Sequence, residues 1–254
     1  MPNLIKKNKV VVSLFLLFLG YMIFADDDKK IYEFNELADH SSWSKLLQKH
    51  VSDSGTVNYK GFISESTEFN AYLNELSSHH PASNWSREDV LAYWINAYNA
   101  FTIKLIVDNY PIKSIKDIEP IFGVPWYYDF IKIQENTYDL DYIEHQILRK
   151  MNEPRIHFAI VCASYSCPNL LNEAFESVTL EKQLESQATF FINDTGKNII
   201  NDSTVELSKI FEWFGQDFET ETTSLVDYIN KYSKLKISES NEVKYLDYKW
   251  ELNE

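Results

Sequence analysis

The stretch SREDVLAYWINAYNAFTIKLIVDNYP, residues 86–111, carries the strongest fold signal in the chain. Ser86 and Asp89 have the spacing of a capping box, in which each side chain bonds the backbone N–H of the other residue, so a helix is predicted to begin here. Apolar residues then recur at spacings of three and four, which places them on one helix face: Leu91, Trp94, Tyr98, Phe101 and Leu105. Pro111 is predicted to end the helix, and the aromatic face predicts a large core.

Shorter patterns predict further elements on both sides of this helix. We expect helices over residues 32–50, 67–76, 139–151 and 180–192, a strand pair over 131–138, and a short strand at 205–207. Residues 156–162, IHFAIVC, are apolar and rich in β-branched residues, which predicts a central strand buried on both faces. The aromatic segments 121–130 and 245–253 are expected to pack on the body. The predicted fold class is α+β, a mostly helical single domain around a small central β-sheet, with a cysteine-hydrolase-like architecture as a further expectation.

The composition excludes several classes of function. The 254 residues include 24 Lys and Arg against 38 Asp and Glu, a net charge of −14, which argues against nucleic-acid binding because phosphate contacts need a basic surface. Two cysteines are too few for a disulfide scaffold or a zinc-finger array. The sequence contains no Gly-rich phosphate loop, no Gly-x-Ser-x-Gly elbow and no HExxH motif, so we expect no cofactor and no metal.

The N-terminus has the pattern of an export signal. Three lysines within the first nine residues precede an apolar run over residues 10–25, which stops at three aspartates. The run is shorter than the roughly 20 residues of a full membrane span. We therefore expect residues 1–25 to be either a cleaved signal peptide or an uncleaved anchor, followed by a single globular domain over residues 26–254. Both alternatives predict a periplasmic or secreted protein that touches a membrane only through an uncleaved N-terminal segment.

Cys167 is the candidate nucleophile. It directly precedes Pro168, and proline favours the first position of a helix, so Cys167 is expected to cap a helical turn whose N–H groups stabilise a thiolate. Two alternatives stay open. Cys162 and Cys167 can form a structural disulfide, or both can be inert buried thiols.

His145 and His157 are the candidate bases for this thiol. His157 lies on the predicted strand that leads into the cysteine loop, and His145 lies on the preceding helix next to Glu144, a candidate to orient it. Asp141, His145 and Arg149 follow one another at a spacing of four, so they share one helix face. Either histidine can instead be structural, through an ion pair on the helix or a hydrogen bond in the core.

Asn96, Asn99 and Arg149 are the candidate substrate-binding residues. The two amides are three residues apart on the predicted long helix, inside an otherwise apolar stretch, and buried amides need hydrogen-bond partners. They can orient a substrate in a cleft, or they can bond the backbone of neighbouring loops.

These residues lie in sequence blocks that resemble the domain-of-unknown-function 547 family. The blocks are YWINAYNAF at 93–101, LDYIEH at 140–145 with Arg149, PRIHFA at 154–159, SCP at 166–168, LSKIFEWF at 207–214 with Asp217 and Phe218, and WELN at 250–253. The resemblance extends from about Trp43 onward. It implies export of bacterial members, and it places these residues in motif positions: Asn96, Asn99, Glu144, His145, His157 and Cys167.

Three functional hypotheses follow. The first is a cysteine-dependent hydrolase or acyl transferase that acts on a small-molecule or peptide-like substrate, with Cys167 as nucleophile, His145 or His157 as base, and Glu144 or an asparagine as orienting group. The second is a non-catalytic binding or scaffold domain with bridged or inert cysteines. The third is a metal-dependent enzyme that uses His145, Glu144 and His157 as ligands.

Overall fold

The structure, a computed structural model, describes residues 36–118, 124–201, 204–220 and 222–254. The predicted export segment, the first part of the helix predicted at 32–50 and part of the aromatic segment at 121–130 lie outside the described residues. Residues Glu36–Glu254 form one compact unit.

Helices account for most of the regular structure of this unit. The α-helices are α1 (Ser41–His50), α2 (Tyr59–Ser64), α3 (Ser66–Ser78), α4 (Arg87–Asn109), α5 (Leu140–Tyr142), α6 (Leu180–Asn193), α7 (Lys209–Trp213), α8 (Gly215–Phe218) and α9 (Leu225–Tyr232). A π-helical turn at Ile143–Leu148 continues α5, and 3-10 turns cover Ile115–Asp117, Pro125–Tyr127, Arg149–Met151 and Pro154–Phe158. The strands are β1 (Ile131–Ile133), β2 (Asn136–Tyr138), β3 (Ile199–Ile200), β4 (Val205–Leu207) and β5 (Val243–Tyr245). The mixed α+β class is confirmed.

The long helix α4 is the centre of the core. Its predicted capping box is present, with the Ser86 side chain bonded to the Asp89 N–H and the Asp89 side chain bonded to the Ser86 N–H. Burial is wider than the single predicted face, because nearly every residue from Leu91 to Ile106 is buried. The helix is long and apolar enough to cross a membrane, but 83% of its apolar window is buried inside the protein, as in a core helix.

The strands form two small sheets. Strands β1 and β2 pair antiparallel around a turn in which Gln134 has a positive φ of 49°, as the strand pair predicted for this region requires. Strand β4 pairs antiparallel with β3 and parallel with β5. Neither sheet includes residues 156–162, so the prediction of a central sheet built on that segment is wrong.

Residues 156–162 instead form the end of a 3-10 turn and an extended stretch without a strand partner. Glu153 caps the turn by accepting the Arg155 N–H, and Pro154 begins it. The backbone beyond the turn is bonded to side-chain amides. Asn99 donates to the Ala159 carbonyl at 2.9 Å and accepts the Val161 N–H at 2.9 Å, which is the pairing that a neighbouring strand would supply.

The segment is apolar on both faces because it separates two apolar clusters. One cluster contains α1 to α4 and includes Ile156 and Val161, whereas the other contains α6 to α9 and includes Phe158. A sequence pattern cannot distinguish burial between two clusters from burial in a sheet, which explains the wrong strand prediction.

The C-terminal tail docks on the body, as predicted. The Asn253 carbonyl accepts the Val57 N–H at 2.8 Å, and the Glu251 carbonyl accepts the Tyr165 N–H at 2.7 Å. Leu252 also forms a β-bridge with Ser164 in the loop between the cysteines. The tail therefore fixes the cysteine loop from outside.

Candidate functional site

A cavity of about 240 Å³ contains all four residues that the sequence singled out for catalysis. Glu144, His145, His157 and Cys167 line it together with Cys162. The remaining wall is largely aromatic and is formed by Tyr98, Trp126, Tyr127, Trp213, Phe214, Tyr248 and Trp250. Such a pocket, mostly apolar with a few converging polar groups, is typical of a small-molecule site.

Cys162 and Cys167 are joined by a disulfide, with their Cα atoms 6.2 Å apart. The expectation of a free Cys167 thiolate is therefore wrong for this form of the protein, and the disulfide that the sequence left open as an alternative is present. The predicted helical turn at Pro168 is also wrong, because the chain forms turns and bends until α6 begins at Leu180. A proline permits a helix start, but it does not supply the hydrogen bonds that continue one.

Two hydrogen-bond donors converge on the Cys167 sulfur in place of the predicted helix N-terminus. The Cys162 backbone N–H lies 2.9 Å from Cys167 Sγ, and the Tyr248 hydroxyl lies 3.2 Å from it. The Ser164 hydroxyl donates to the Tyr248 oxygen at 3.1 Å, which leaves the Tyr248 proton available to sulfur. Burial raises the pKa of Tyr248, so this donor stays protonated at neutral pH.

His157 is held rigidly at the cavity wall. Its Nε2 lies 2.8 Å from Asp217 Oδ2, its ring stacks on Phe214 with centroids 4.1 Å apart, and only 3% of the residue is exposed. Because an ionised carboxylate accepts, we assign the proton to Nε2. Nδ1 then carries the lone pair that can accept a proton. An acid that orients a histidine in this way is the arrangement used to activate nucleophiles.

His145 lies on the π-helical turn and has both ring nitrogens engaged. Arg149 Nη1 donates to Nδ1 at 3.1 Å, and Nε2 lies 3.3 Å from Asp141 Oδ1. The predicted stripe of Asp141, His145 and Arg149 is therefore present. The same guanidinium binds Asp217 through Nε at 2.6 Å and Nη2 at 2.8 Å, so one chain of hydrogen bonds connects the two histidines.

Asp217 is the shared acceptor in this network. Burial alone would raise its pKa, but the hydrogen bonds from Arg149 and His157 outweigh burial and hold the pKa well below the ordinary value of 3.8. The carboxylate is thus ionised throughout the neutral range and fixes the His157 tautomer.

Glu144 lines the cavity but does not orient a histidine as predicted. Its Oε2 accepts the Tyr98 hydroxyl at 3.0 Å, and burial together with this carboxylate raises the pKa of Tyr98 well above its usual range. The orienting carboxylates are Asp141 for His145 and Asp217 for His157. Glu144 therefore contributes negative charge to the wall of the cavity.

Asn96 and Asn99 have structural partners and do not line the cavity. Asn96 donates to the Phe175 carbonyl at 2.8 Å and accepts the Phe175 N–H at 3.0 Å, while Asn99 holds residues 159–161. Both residues are only 1% exposed. We therefore correct their predicted role from substrate binding to backbone support. Arg149 likewise lies behind the cavity wall and links Asp217 to His145.

Comparison with protein-family models finds one match. Residues 82–192 match the family described as "Protein of unknown function, DUF547". Comparisons with curated proteins and with solved structures find no match.

The DUF547 region includes α4, the π-helical turn, the 3-10 turn with His157 and both cysteines. It ends within α6, so Asp217 and Tyr248 lie outside it. The sequence places Asp217 in a block that resembles the family but predicts no chemical role for it, and it predicts no role for Tyr248. Asp217 follows an aromatic helical block and Tyr248 lies in the aromatic tail, and no local spacing connects either one to a histidine or cysteine more than 50 positions away.

The metal hypothesis receives no support from the geometry. Within residues 36–118, 124–201, 204–220 and 222–254, no group of three or more His, Cys, Asp or Glu side chains is arranged to hold a metal ion.

Proposed function

We propose that this protein is a cysteine-dependent hydrolase or acyl transferase whose nucleophile, Cys167, becomes free when the disulfide to Cys162 is reduced. The observation that carries the proposal is the shared cavity, which is lined by the disulfide and by His157, whose Nε2 is bonded to Asp217. The two donors at Cys167 Sγ support it, because hydrogen bonds to a sulfur anion lower the pKa of the thiol.

The chemistry assigns a separate task to each residue. His157 Nδ1 takes the proton of the reduced Cys167 thiol, and the thiolate attacks a substrate carbonyl carbon to form a tetrahedral intermediate. The intermediate collapses to a thioester as the protonated His157 gives its proton to the leaving group. Water or an amine then attacks the thioester and regenerates the thiol. Asp217 keeps Nε2 protonated throughout, and the Phe214 ring keeps the imidazole in its plane.

The cavity wall favours a particular type of acyl group. Its aromatic rings suit an apolar or aromatic group close to the carbonyl, and a volume of about 240 Å³ suits a small molecule or the end of a peptide. Asp141 and Glu144 add negative charge, which disfavours acidic acyl groups.

The experiment compares two single-cysteine variants with and without a phosphine reductant, on a panel of nitrophenyl esters, acyl thioesters and peptide amides. Wild-type turnover is expected only after reduction. Cys162→Ser is expected to turn over without reductant, Cys167→Ser to be inactive in both conditions, and Tyr165→Phe, an exposed change in the same loop, to behave as wild type. Reductant-independent wild-type turnover, or an active Cys167→Ser variant, would contradict the proposal.

The second candidate function is ligand binding without turnover, and the closed disulfide favours it. With the bridge intact neither sulfur can attack a carbonyl, yet the aromatic wall remains able to bind an apolar ligand. This candidate predicts that wild type and Cys167→Ser bind the same small aromatic compounds and that reduction changes nothing.

We also propose that the chain is exported, on the strength of the lysine-rich start, the apolar run at 10–25 and the aspartates that follow. A disulfide at the centre of the candidate site is compatible with an oxidising compartment. Fractionation of cells that express the full chain tests this proposal. Recovery of the full-length protein only in the cytoplasm would contradict it.

A further inference from the structure

We propose that the Cys162–Cys167 disulfide has a fixed polarity in thiol–disulfide exchange. An external thiolate attacks Cys162 Sγ, forms a mixed disulfide with Cys162, and expels Cys167 as the thiolate. As a mechanism that regulates the proposed enzyme, this inference rests on the proposed function. The thiol–disulfide exchange itself can be measured without any substrate.

The two cysteines differ in exposure. Both cysteines line the cavity, but Cys167 is only 4% exposed whereas Cys162 is partly exposed. A thiolate attacks the sulfur it can approach, and access is one of the factors that set the rate of exchange. The greater exposure of Cys162 therefore favours attack of the external thiolate at its sulfur.

The two sulfurs also differ as leaving groups. Cys167 Sγ receives the Cys162 backbone N–H at 2.9 Å and the Tyr248 hydroxyl at 3.2 Å. Cys162 Sγ has only hydroxyl neighbours, Ser164 at 3.1 Å and Tyr248 at 3.2 Å, and no backbone donor among the described residues. Since a thiol of lower pKa leaves faster, expulsion of Cys167 is favoured over expulsion of Cys162.

The released Cys167 stays in the cavity because the chain that leads into it is anchored. The Cys167 N–H donates to the Ser164 carbonyl at 3.1 Å, and the Ser166 hydroxyl accepts the Lys249 N–H at 2.9 Å. The Ser166 N–H donates in turn to the Lys249 carbonyl at 3.2 Å. Opening the bridge therefore places a nucleophile in the same cavity as His157.

The electrons balance with a dithiol as the reductant. Its first thiolate forms a bond to Cys162 Sγ while the Cys162–Cys167 bond breaks, and the bonding pair goes to Cys167. The second thiolate attacks the sulfur of the first, which releases Cys162 as a thiolate and leaves the reductant oxidised to a disulfide. With a monothiol the second step needs a second molecule, so an early quench can trap the mixed disulfide and make the first step observable.

The first experiment locates that mixed disulfide. Oxidised, folded wild-type protein is mixed with excess glutathione, quenched with acid at short times, alkylated with a maleimide and mapped by peptide mass spectrometry. Glutathione is expected on Cys162 and maleimide on Cys167. Glutathione predominantly on Cys167, an equal mixture, or a bridge that opens only in denaturant would overturn the proposal.

The second experiment tests the leaving group. Tyr248→Phe is expected to slow the opening of the bridge by at least about threefold and, in a Cys162→Ser background, to raise the pKa of the Cys167 thiol. Tyr165→Phe, which removes an exposed hydroxyl from the same loop, is the matched control and is expected to change neither quantity. Equal rates for the two tyrosine variants would contradict the assigned role of the Tyr248 hydroxyl.

The two proposals fail separately. If Cys162 is the attacked sulfur but no substrate is found for the reduced protein, the exchange chemistry stands and the hydrolase proposal fails. If the Cys162→Ser variant turns over substrate but glutathione is found on Cys167, the hydrolase proposal stands and the polarity fails.

Discussion

His157 and His145 line the same cavity but sit in opposite kinds of environment. His157 is almost fully buried, is stacked on Phe214 and, among the residues that the structure describes, is hydrogen-bonded through Nε2 alone. His145 is more exposed, lies on a π-helical turn and uses both nitrogens, one toward Arg149 and one toward Asp141. Acidic neighbours in the sequence therefore do not by themselves make a histidine the better base. A base needs a nitrogen that is left free.

The largest difference is expected from replacing each histidine in turn. In the reduced protein, His157→Gln should lower kcat/KM by about 10²- to 10⁴-fold, the usual contribution of a positioned general base. His145→Gln should lower it by less than about 10-fold, because His145 has no free nitrogen to offer. Steady-state assays on the best substrate of the ester and thioester panel measure both values. Equal losses, or the reverse order, would break the comparison.

The next largest effect is expected from removing the side chains that stabilise the two segments in which the histidines lie. Asn99→Ala leaves the Ala159 carbonyl and the Val161 N–H without partners beside His157, which should lower the free energy of unfolding by roughly 2–4 kcal/mol. Asp139→Ala removes only an exposed cap from the helix that leads to His145, which should cost about 1 kcal/mol. Urea titrations followed by far-UV circular dichroism give the two values, and a smaller loss for Asn99→Ala would show that the amide is not the support of this segment.

A smaller effect, with a defined pH dependence, is expected at the acid that both networks share. Asp217→Asn should lower the free energy of unfolding at neutral pH by roughly 1–3 kcal/mol, since hydrogen bonds to Arg149 and His157 are weakened. The folded pKa of Asp217 lies below the ordinary value of 3.8, so its contribution is complete above about pH 4 and is lost as the pH falls further. Chemical denaturation of the wild type and of Asp217→Asn between pH 3 and pH 7, in steps of about one unit, measures the difference in their free energies of unfolding. A difference in free energy of unfolding that increases toward acid pH would contradict this assignment.

The smallest effect is expected at Tyr98, whose hydroxyl donates to Glu144 and not to either histidine. Tyr98→Phe removes the hydroxyl that bonds Glu144 and should cost about 1 kcal/mol of stability while leaving the choice of base unchanged. Thermal unfolding and the kcat ratio of the two histidine variants in the Tyr98→Phe background measure this. A changed ratio would mean that Glu144 takes part in selecting the base.

Local signals in the sequence were enough for α3, α4 and α6. The capping box at Ser86 and Asp89, the stripe from Asp141 to Arg149 and the strand pair over residues 131–138 all depend on contacts within a few residues, and all are present. Such contacts follow from the spacing of residues along the chain, so they can be predicted.

The predictions that were wrong or missing concern residues whose partners lie far away in the chain. The segment 156–162 has the composition of a central strand, but its backbone partner is the amide of Asn99 and its two faces meet separate clusters. The orienting acid of His157 is 60 positions away and the tyrosine at Cys167 is 81 positions away. No periodicity encodes such pairs, so the candidate residues were predictable whereas their partners were not.

The most direct test of the central claim, that His157 activates Cys167, needs no substrate. In the Cys162→Ser variant, the rate of Cys167 alkylation by iodoacetamide is measured across pH, with and without His157→Gln. The account predicts an apparent pKa below the ordinary value of about 8.5 for a free cysteine and a rise in that value when His157 is replaced. A Cys167 pKa at or above that value, unchanged by His157→Gln, would contradict the account.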